Sequence, residues 1–189
     1  VIGPMVSVVD DGVEATDGAG VVRPAEVAAG GAAIEPAPAL PTDPASIVFT
    51  SASTGRPKGV VQSHRNLVRA CRTVSGYLGY REDDRILGAI PWSFDYGYGQ
   101  LLSTAVMGIT QIVPEQLNPF GICAAIESHR PTVLPVIPSV ITYLLQGLSP
   151  FRSLDLSSIR MVTNTGGTIP GPVLESMFEV LGEGVEVFL

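Results

Sequence analysis

From residue 46 onward, short apolar runs alternate with longer segments of helical period, and this alternation restricts the fold more than any other feature of the chain. Residues 47–50, 59–62, 85–90, 110–113, 132–136, 159–162 and 185–189 read as strands. Between them lie helices at about 64–79, 97–108, 118–129, 138–146 and 170–181. Ser63 is placed to cap the first, which carries Leu67, Val68, Cys71, Val74 and Leu78 on one side. Asn118 caps the third ahead of Pro119, and Pro138 and Pro170 open the last two. Strands that alternate with helices of roughly 10–15 residues form an α/β fold, a largely parallel sheet flanked by helices. Ligands in such folds bind beyond the carboxyl ends of the strands. The loops after Phe49, Ile90, Val136 and Val162 are therefore the candidate site.

The first 45 residues read differently. Residues 5–9 form a strand closed by Asp10-Asp11-Gly12. Up to residue 45 an irregular connector rich in Ala, Gly and Pro follows, with a helical turn near 24–29. The expected organisation is thus a strand plus connector over 1–45 and an α/β subdomain over 46–189. Only 15% of the residues are charged and 46% are hydrophobic, against about 25% charged in an ordinary domain. The mean hydropathy of +0.35 agrees. Such a composition suits an internal piece of a larger globular protein whose apolar surface is covered. It does not suit a membrane span: residues 131–148 are broken by Pro131, Pro135 and Pro138 and by Ser139, Thr142 and Gln146, well short of roughly 20 consecutive apolar residues. The N-terminus lacks the pattern of a signal peptide. A net charge of −7 without a basic run disfavours nucleic acid as a partner. Cys71 and Cys123 show no metal or redox spacing and read as buried free thiols, which fits a cytoplasmic protein.

The stretch 47–60, Ile-Val-Phe-Thr-Ser-Ala-Ser-Thr-Gly-Arg-Pro-Lys-Gly-Val, runs from a strand into a hydroxyl-rich loop. Backbone N–H groups in such a loop form an anion-binding nest; Thr50, Ser51, Ser53 and Thr54 add neutral donors and Lys58 adds a point charge. A polyphosphate suits it. The Walker spacing is wrong, because Gly55 is followed by Arg56-Pro57 and Lys58 by Gly59. The dinucleotide fingerprint fails too, since Leu102 stands where a third glycine should follow Gly97-x-Gly99. The loop resembles the signature of the adenylate-forming superfamily, which includes acyl-CoA synthetases, luciferases and peptide-synthetase adenylation domains. The family form is Thr-Ser-Gly-Ser/Thr-Thr-Gly-x-Pro-Lys-Gly. Thr50, Ser51, Ser53, Thr54, Gly55, Pro57, Lys58 and Gly59 agree with it, and Ala52 departs from the family glycine.

Two further segments resemble family motifs in the family's order. Ser93-Phe94-Asp95, set among aromatics and glycines after a strand, is similar to the Phe-Asp motif of adenylation domains, whose aspartate binds the substrate amino group. Helix capping is the structural alternative for Asp95. Acyl-CoA synthetases usually carry His at the position of Phe94, so the resemblance leans toward an amino acid or similar polar carboxylate. Thr163-Asn164-Thr165-Gly166-Gly167-Thr168 resembles the Gly-Gly loop along which adenine and the acyl group lie. Glycine there leaves space for a planar ring. Residues 135–140 resemble the segment bordering the acyl pocket and read mostly as core. His64 and His129 read as helix-start and helix-end residues without a catalytic role.

The resemblance implies an AMP-forming ligase. Thr50, Ser51, Ser53, Thr54, Gly55 and Lys58 would bind the ATP phosphates. Phe94, Asp95 and Gly166 would bind the substrate, and Gly166, Gly167 and Thr168 would line adenine and the acyl group. ATP with Mg²⁺ would activate a small carboxylate, and CoA or the phosphopantetheine of an acyl or peptidyl carrier protein would accept it. The family's Tyr-Gly-x-Thr-Glu, its ribose-binding Asp and the C-terminal lid with the catalytic Lys have no counterpart in the 189 residues, so this stretch is expected to be inactive alone. The alternative is a degenerate or truncated nucleotide-binding scaffold.

Overall fold

The computed structural model describes residues 6–8, 20–22, 38–50, 57–182 and 184–189. The chain divides into two compact units, Val1–Ala39 and Leu40–Leu189. In the first, β1 (Val6–Val8) and β2 (Gly20–Val22) pair in parallel. β2 lies inside the stretch read as irregular connector; the helical turn expected near 24–29 lies outside the described residues.

The second unit opens with an antiparallel hairpin, β3 (Pro44–Thr50) and β4 (Lys58–Ser63), in which Thr50 faces Lys58. Ser63 then caps α1 (His64–Leu78) by accepting the Asn66 N–H at 3.3 Å, and Gly79 ends it at φ +65°. The remaining elements are β5 (Arg85–Leu87), α2 (Asp95–Met107), β6 (Thr110–Ile112), α3 (Pro119–His129), β7 (Val133–Val136), α4 (Pro138–Gln146), a 3₁₀ turn (Pro150–Ser153), β8 (Met161–Asn164), α5 (Gly171–Leu181) and β9 (Glu186–Phe188). The five strands β5 to β9 form one parallel sheet in the order β6-β5-β7-β8-β9. The fold is α/β, as the alternation requires.

All four residues of β7 are buried. Its Pro135 has no N–H to offer a ladder. It is tolerated because β5 pairs with β7 only at Ile86↔Val133, so the neighbour on that side has ended before Pro135. One face of the sheet carries Leu87, Leu134, Val136 and Val162 against Ile122 and Ile126 of α3, Ile141 and Leu144 of α4, and Val173 and Met177 of α5. Each fully buried aliphatic side chain contributes about 1.5–3 kcal/mol. On the other face Ile86, Val133 and Met161 meet Leu78 from the end of α1, and the Tyr77 and Phe188 rings meet edge-on with centroids 5.6 Å apart.

Several element boundaries differ from the expected ones. β5 stops at Leu87 rather than Ile90, although the Gly88 N–H still reaches Ile112 O at 2.8 Å. β8 begins two residues later than expected because the Ile159 N–H turns back to Leu156 O at 2.9 Å. α2 begins at Asp95, two residues early, so Asp95 belongs to a helix and not to a loop. Lys58 likewise is the first residue of β4.

At the amino ends of the central strands, buried Asp84 pairs with half-buried Arg160. Asp84 Oδ1 accepts from Thr132 Oγ1 at 2.7 Å and from Arg160 Nε at 2.9 Å; Oδ2 accepts from the Arg81 N–H at 2.7 Å and from Arg160 Nη2. Asp84, Thr132 and Arg160 immediately precede β5, β7 and β8. This cluster ties the strands together at the end of the sheet away from the carboxyl-end loops.

Candidate functional site

The loops at the carboxyl ends of β5, β7 and β8 converge on a cavity of about 520 Å³. Pro91, Phe94, Asp95 and Tyr96 come from the first, Ile137 and Pro138 from the second, Thr165 and Gly166 from the third. A second cavity of about 470 Å³ lies between the hairpin, α1 and α2. Val48, Thr50 and Gln62 line it from the hairpin, Gln100 and Ser103 from α2. Asp95, Tyr96 and Thr165 line both cavities.

Asp95 is exposed, and its Oδ1 accepts the Tyr96 N–H at 2.8 Å. Phe94 is the N-cap of α2 but gives no side-chain cap bond, so Asp95 supplies the negative charge that the first turn of a helix favours. The capping contribution and a place on the cavity wall therefore coexist in one residue. Gly97 explains why this turn lies so close to the strand-end loop. A Cβ there would sit 2.3 Å from Pro91 O and 2.6 Å from Ile90 O, closer than real Cβ contacts allow.

Tyr96 locks the same turn to β8. Its hydroxyl lies 2.6 Å from Thr163 Oγ1 and 3.2 Å from the Thr163 carbonyl oxygen. Burial pushes the phenol pKa up, against the opposing effect of the Thr163 and Gln100 side chains, so the residue stays neutral at physiological pH. The sequence reading gives Tyr96 and Gly97 no role beyond being an aromatic and a glycine beside Asp95. The available signal was position: an aromatic and a glycine in the first turn after Asp95.

Gly166 and Gly167 adopt φ of +78° and +156°. A Cβ at either would meet Ile137 Cγ2 or Pro138 Cγ at 3.6 Å, an ordinary contact. Backbone conformation, and not crowding within the chain, is what calls for glycine. Asn164 Nδ2 donates to Gly167 O at 2.9 Å and holds the loop. Gly166, Gly167 and Thr168 are exposed, and Gly166 lines the first cavity.

Of the residues expected at the site, Phe94, Asp95 and Gly166 share one cavity, and Thr50 shares the second with Asp95. Gly167, Thr168 and Lys58 line neither. Lys58 is exposed opposite Thr50, whose Oγ1 donates to Lys58 O at 3.4 Å. Ser51, Ala52, Ser53, Thr54 and Gly55 lie outside the described residues. Among the described residues no group of three or more His, Cys, Asp and Glu side chains is placed to hold a metal, and no helix is long and apolar enough to cross a membrane.

A parallel α/β sheet with a glycine loop, an aspartate-bearing helix start and a hydroxyl-flanked hairpin at its carboxyl end is the architecture of adenylate-forming enzymes. Residues 5–188 match the family model for AMP-binding enzymes, and the chain belongs to that family. It is 36% identical over 139 residues to the 3-[(3aS,4S,7aS)-7a-methyl-1,5-dioxo-octahydro-1H-inden-4-yl]propanoyl:CoA ligase of Mycobacterium tuberculosis, covering 72% of this chain and 27% of that protein. It is 39% identical over 101 residues to the nonribosomal peptide synthetase ivoA of Emericella nidulans, covering 53% of this chain and 6% of that protein. The fold superposes on VinN in complex with L-aspartate with a TM-score of 0.77 at 22% identity, over 97% of this chain and 49% of that one. The chain thus spans about a quarter of the length of the mycobacterial CoA ligase.

Proposed function

We propose that this chain forms the acyl-binding wall and part of the phosphate-binding region of an AMP-forming acid–thiol ligase. The observation that carries the proposal is the convergence of Phe94, Asp95 and Gly166 on one cavity, with Thr50 on the adjoining one. In the reaction, a substrate carboxylate oxygen attacks the α-phosphorus of ATP. The bond to the bridging oxygen breaks, pyrophosphate leaves, and an acyl-adenylate results. A thiol of CoA or of a carrier-protein phosphopantetheine then displaces AMP to give the thioester. Thr50, Ser51, Ser53, Thr54, Gly55 and Lys58 would hold the β- and γ-phosphates, Lys58 neutralising charge as pyrophosphate departs, with Mg²⁺ supplying further positive charge when bound. Each hydrogen bond to a charged oxygen contributes about 1.5–3 kcal/mol. The Asp95 carboxylate would pair with a substrate ammonium, and the exposed Gly166-Gly167 backbone would lie against adenine.

ATP–pyrophosphate exchange tests the proposal, measured for this chain joined to the segments that its longer relatives carry on either side. Exchange dependent on an added carboxylate is the expected outcome. ATP binding without exchange across a broad panel of carboxylates would overturn it and favour a non-catalytic nucleotide-binding scaffold.

A further inference from the structure

Two helices carry charge of a single sign at positions that helix physics disfavours. On α1, Arg65, Arg69 and Arg72 follow one another at i, i+4 and i+7 and share one face. All three are exposed, and no ion pair among the described residues engages them. α1 has no acidic residue, and Arg65 stands in its first turn, at the positive end of the helix dipole. Like charges one turn apart repel and add to the cost. On α5, Glu175 and Glu179 are likewise exposed, one turn apart and outside any ion pair among the described residues. α5 has no basic residue, and Glu179 stands in its last turn, at the negative end of the dipole. Each stripe also carries an exposed apolar residue at the same place in its pattern. Val68 lies between Arg65 and Arg69, and Phe178 between Glu175 and Glu179.

We propose that the arginine face of α1 docks the glutamate face of α5 of a second copy of this chain. The two helices lie antiparallel in this contact, with Arg65 against Glu179 of the second copy and Arg69 against its Glu175. Each charge that is adverse within its own helix then meets the favourable dipole end of the other. Spacing agrees on both sides, since residues four apart are about 5–6 Å apart on a helix surface, and Val68 meets Phe178. A membrane surface fits α1 less well, because its opposite face, with Leu67, Cys71 and Val74, already lines the second cavity. The two docking faces belong to opposite sides of the sheet. Leu78 of α1 packs with Ile86, Val133 and Met161, whereas Val173 and Met177 of α5 pack with the residues of the other side. Such a contact is heterologous: it leaves a free α1 at one end and a free α5 at the other, so copies add head to tail. Exposed ion pairs are individually weak, and the association is therefore reversible and concentration-dependent.

Sedimentation equilibrium of the 189-residue chain over a concentration series provides the test. The weight-average mass is expected to climb above the 19.8 kDa of one chain and to pass that of a dimer without a plateau. Raising salt from about 0.1 M to about 1 M shortens the screening length from about 10 Å to about 3 Å and is expected to weaken the association. Reversing the arginines (Arg65→Glu with Arg69→Glu) or the glutamates (Glu175→Arg with Glu179→Arg) is expected to weaken it by roughly tenfold or more. An equimolar mixture of the two reversed chains is expected to restore it, because each α1 again faces an α5 of opposite charge. Association that survives either reversal, or that strengthens with salt, belongs to exposed apolar residues such as Phe49 and Val61 and overturns the proposal. A mixture no more associated than its components, or a plateau at the dimer, overturns it too. This chain joined to the segments that its longer relatives carry is expected to associate in the same way. A monomer there shows that those segments cover the two faces, and the proposal falls.

Discussion

At the residue scale, Tyr96 does what no motif announces. It joins the first turn of α2 to Thr163 of β8 and so fixes Asp95 relative to the glycine loop. Tyr96→Phe removes the hydroxyl and leaves the ring in place. Unfolding in urea should show a loss of about 1 kcal/mol, because the helix start is less firmly held. The glycines show a different gap between sequence and structure. Gly166 and Gly167 stood out as a pair, and space for a ring was the expected reason. Their positive φ values are the reason the structure supplies, and backbone angle is a property that residue spacing does not record.

At the scale of elements, helices and strands were legible because caps and periods are local. Ser63, Asn118 and Pro138 start helices where they were expected to. Boundaries moved where a contact from elsewhere intervened. α2 starts early because Gly97 lets its first turn press against the Ile90 and Pro91 carbonyls. Gly97→Ala places a methyl group against two backbone oxygens that have no freedom to yield. We expect a loss of about 1–3 kcal/mol, read as a lower denaturation midpoint in urea, together with displacement of Asp95 from the cavity wall. Gly99, two residues on, has open space around its Cβ position, so Gly99→Ala serves as the control and should be no less stable.

For the molecule as a whole, the two ends of the sheet have separate tasks. The carboxyl end forms the candidate site, and the amino end is held by Asp84 and Arg160. Burial pushes the Asp84 pKa up, but hydrogen bonds from Arg160, Arg81 and Thr132 outweigh it and the carboxyl titrates below its ordinary value. Its contribution to stability is therefore fully present above the unfolded-state pKa of about 4 and is lost as pH falls through the lower folded value. Asp84→Ala removes the carboxylate partner of a partly exposed Arg160 that still donates to Gly79 O, and should cost about 1–3 kcal/mol at neutral pH. Urea denaturation across the acid range should show a shallower pH dependence for the variant than for the parent. The low charge content also has a visible counterpart: Ile47, Phe49, Val60 and Val61 of the hairpin are exposed. The sequence by itself determined the α/β class, the order of elements and the likeness to adenylate-forming enzymes, because propensity, capping and motif spacing are written along the chain. Only the tertiary structure decided that Tyr96 meets Thr163, 67 positions away, and that Arg160 meets Asp84, 76 positions away. Those contacts depend on β7 and β8 lying beside β5 in the sheet, and strand order is a consequence of packing that local spacing does not contain.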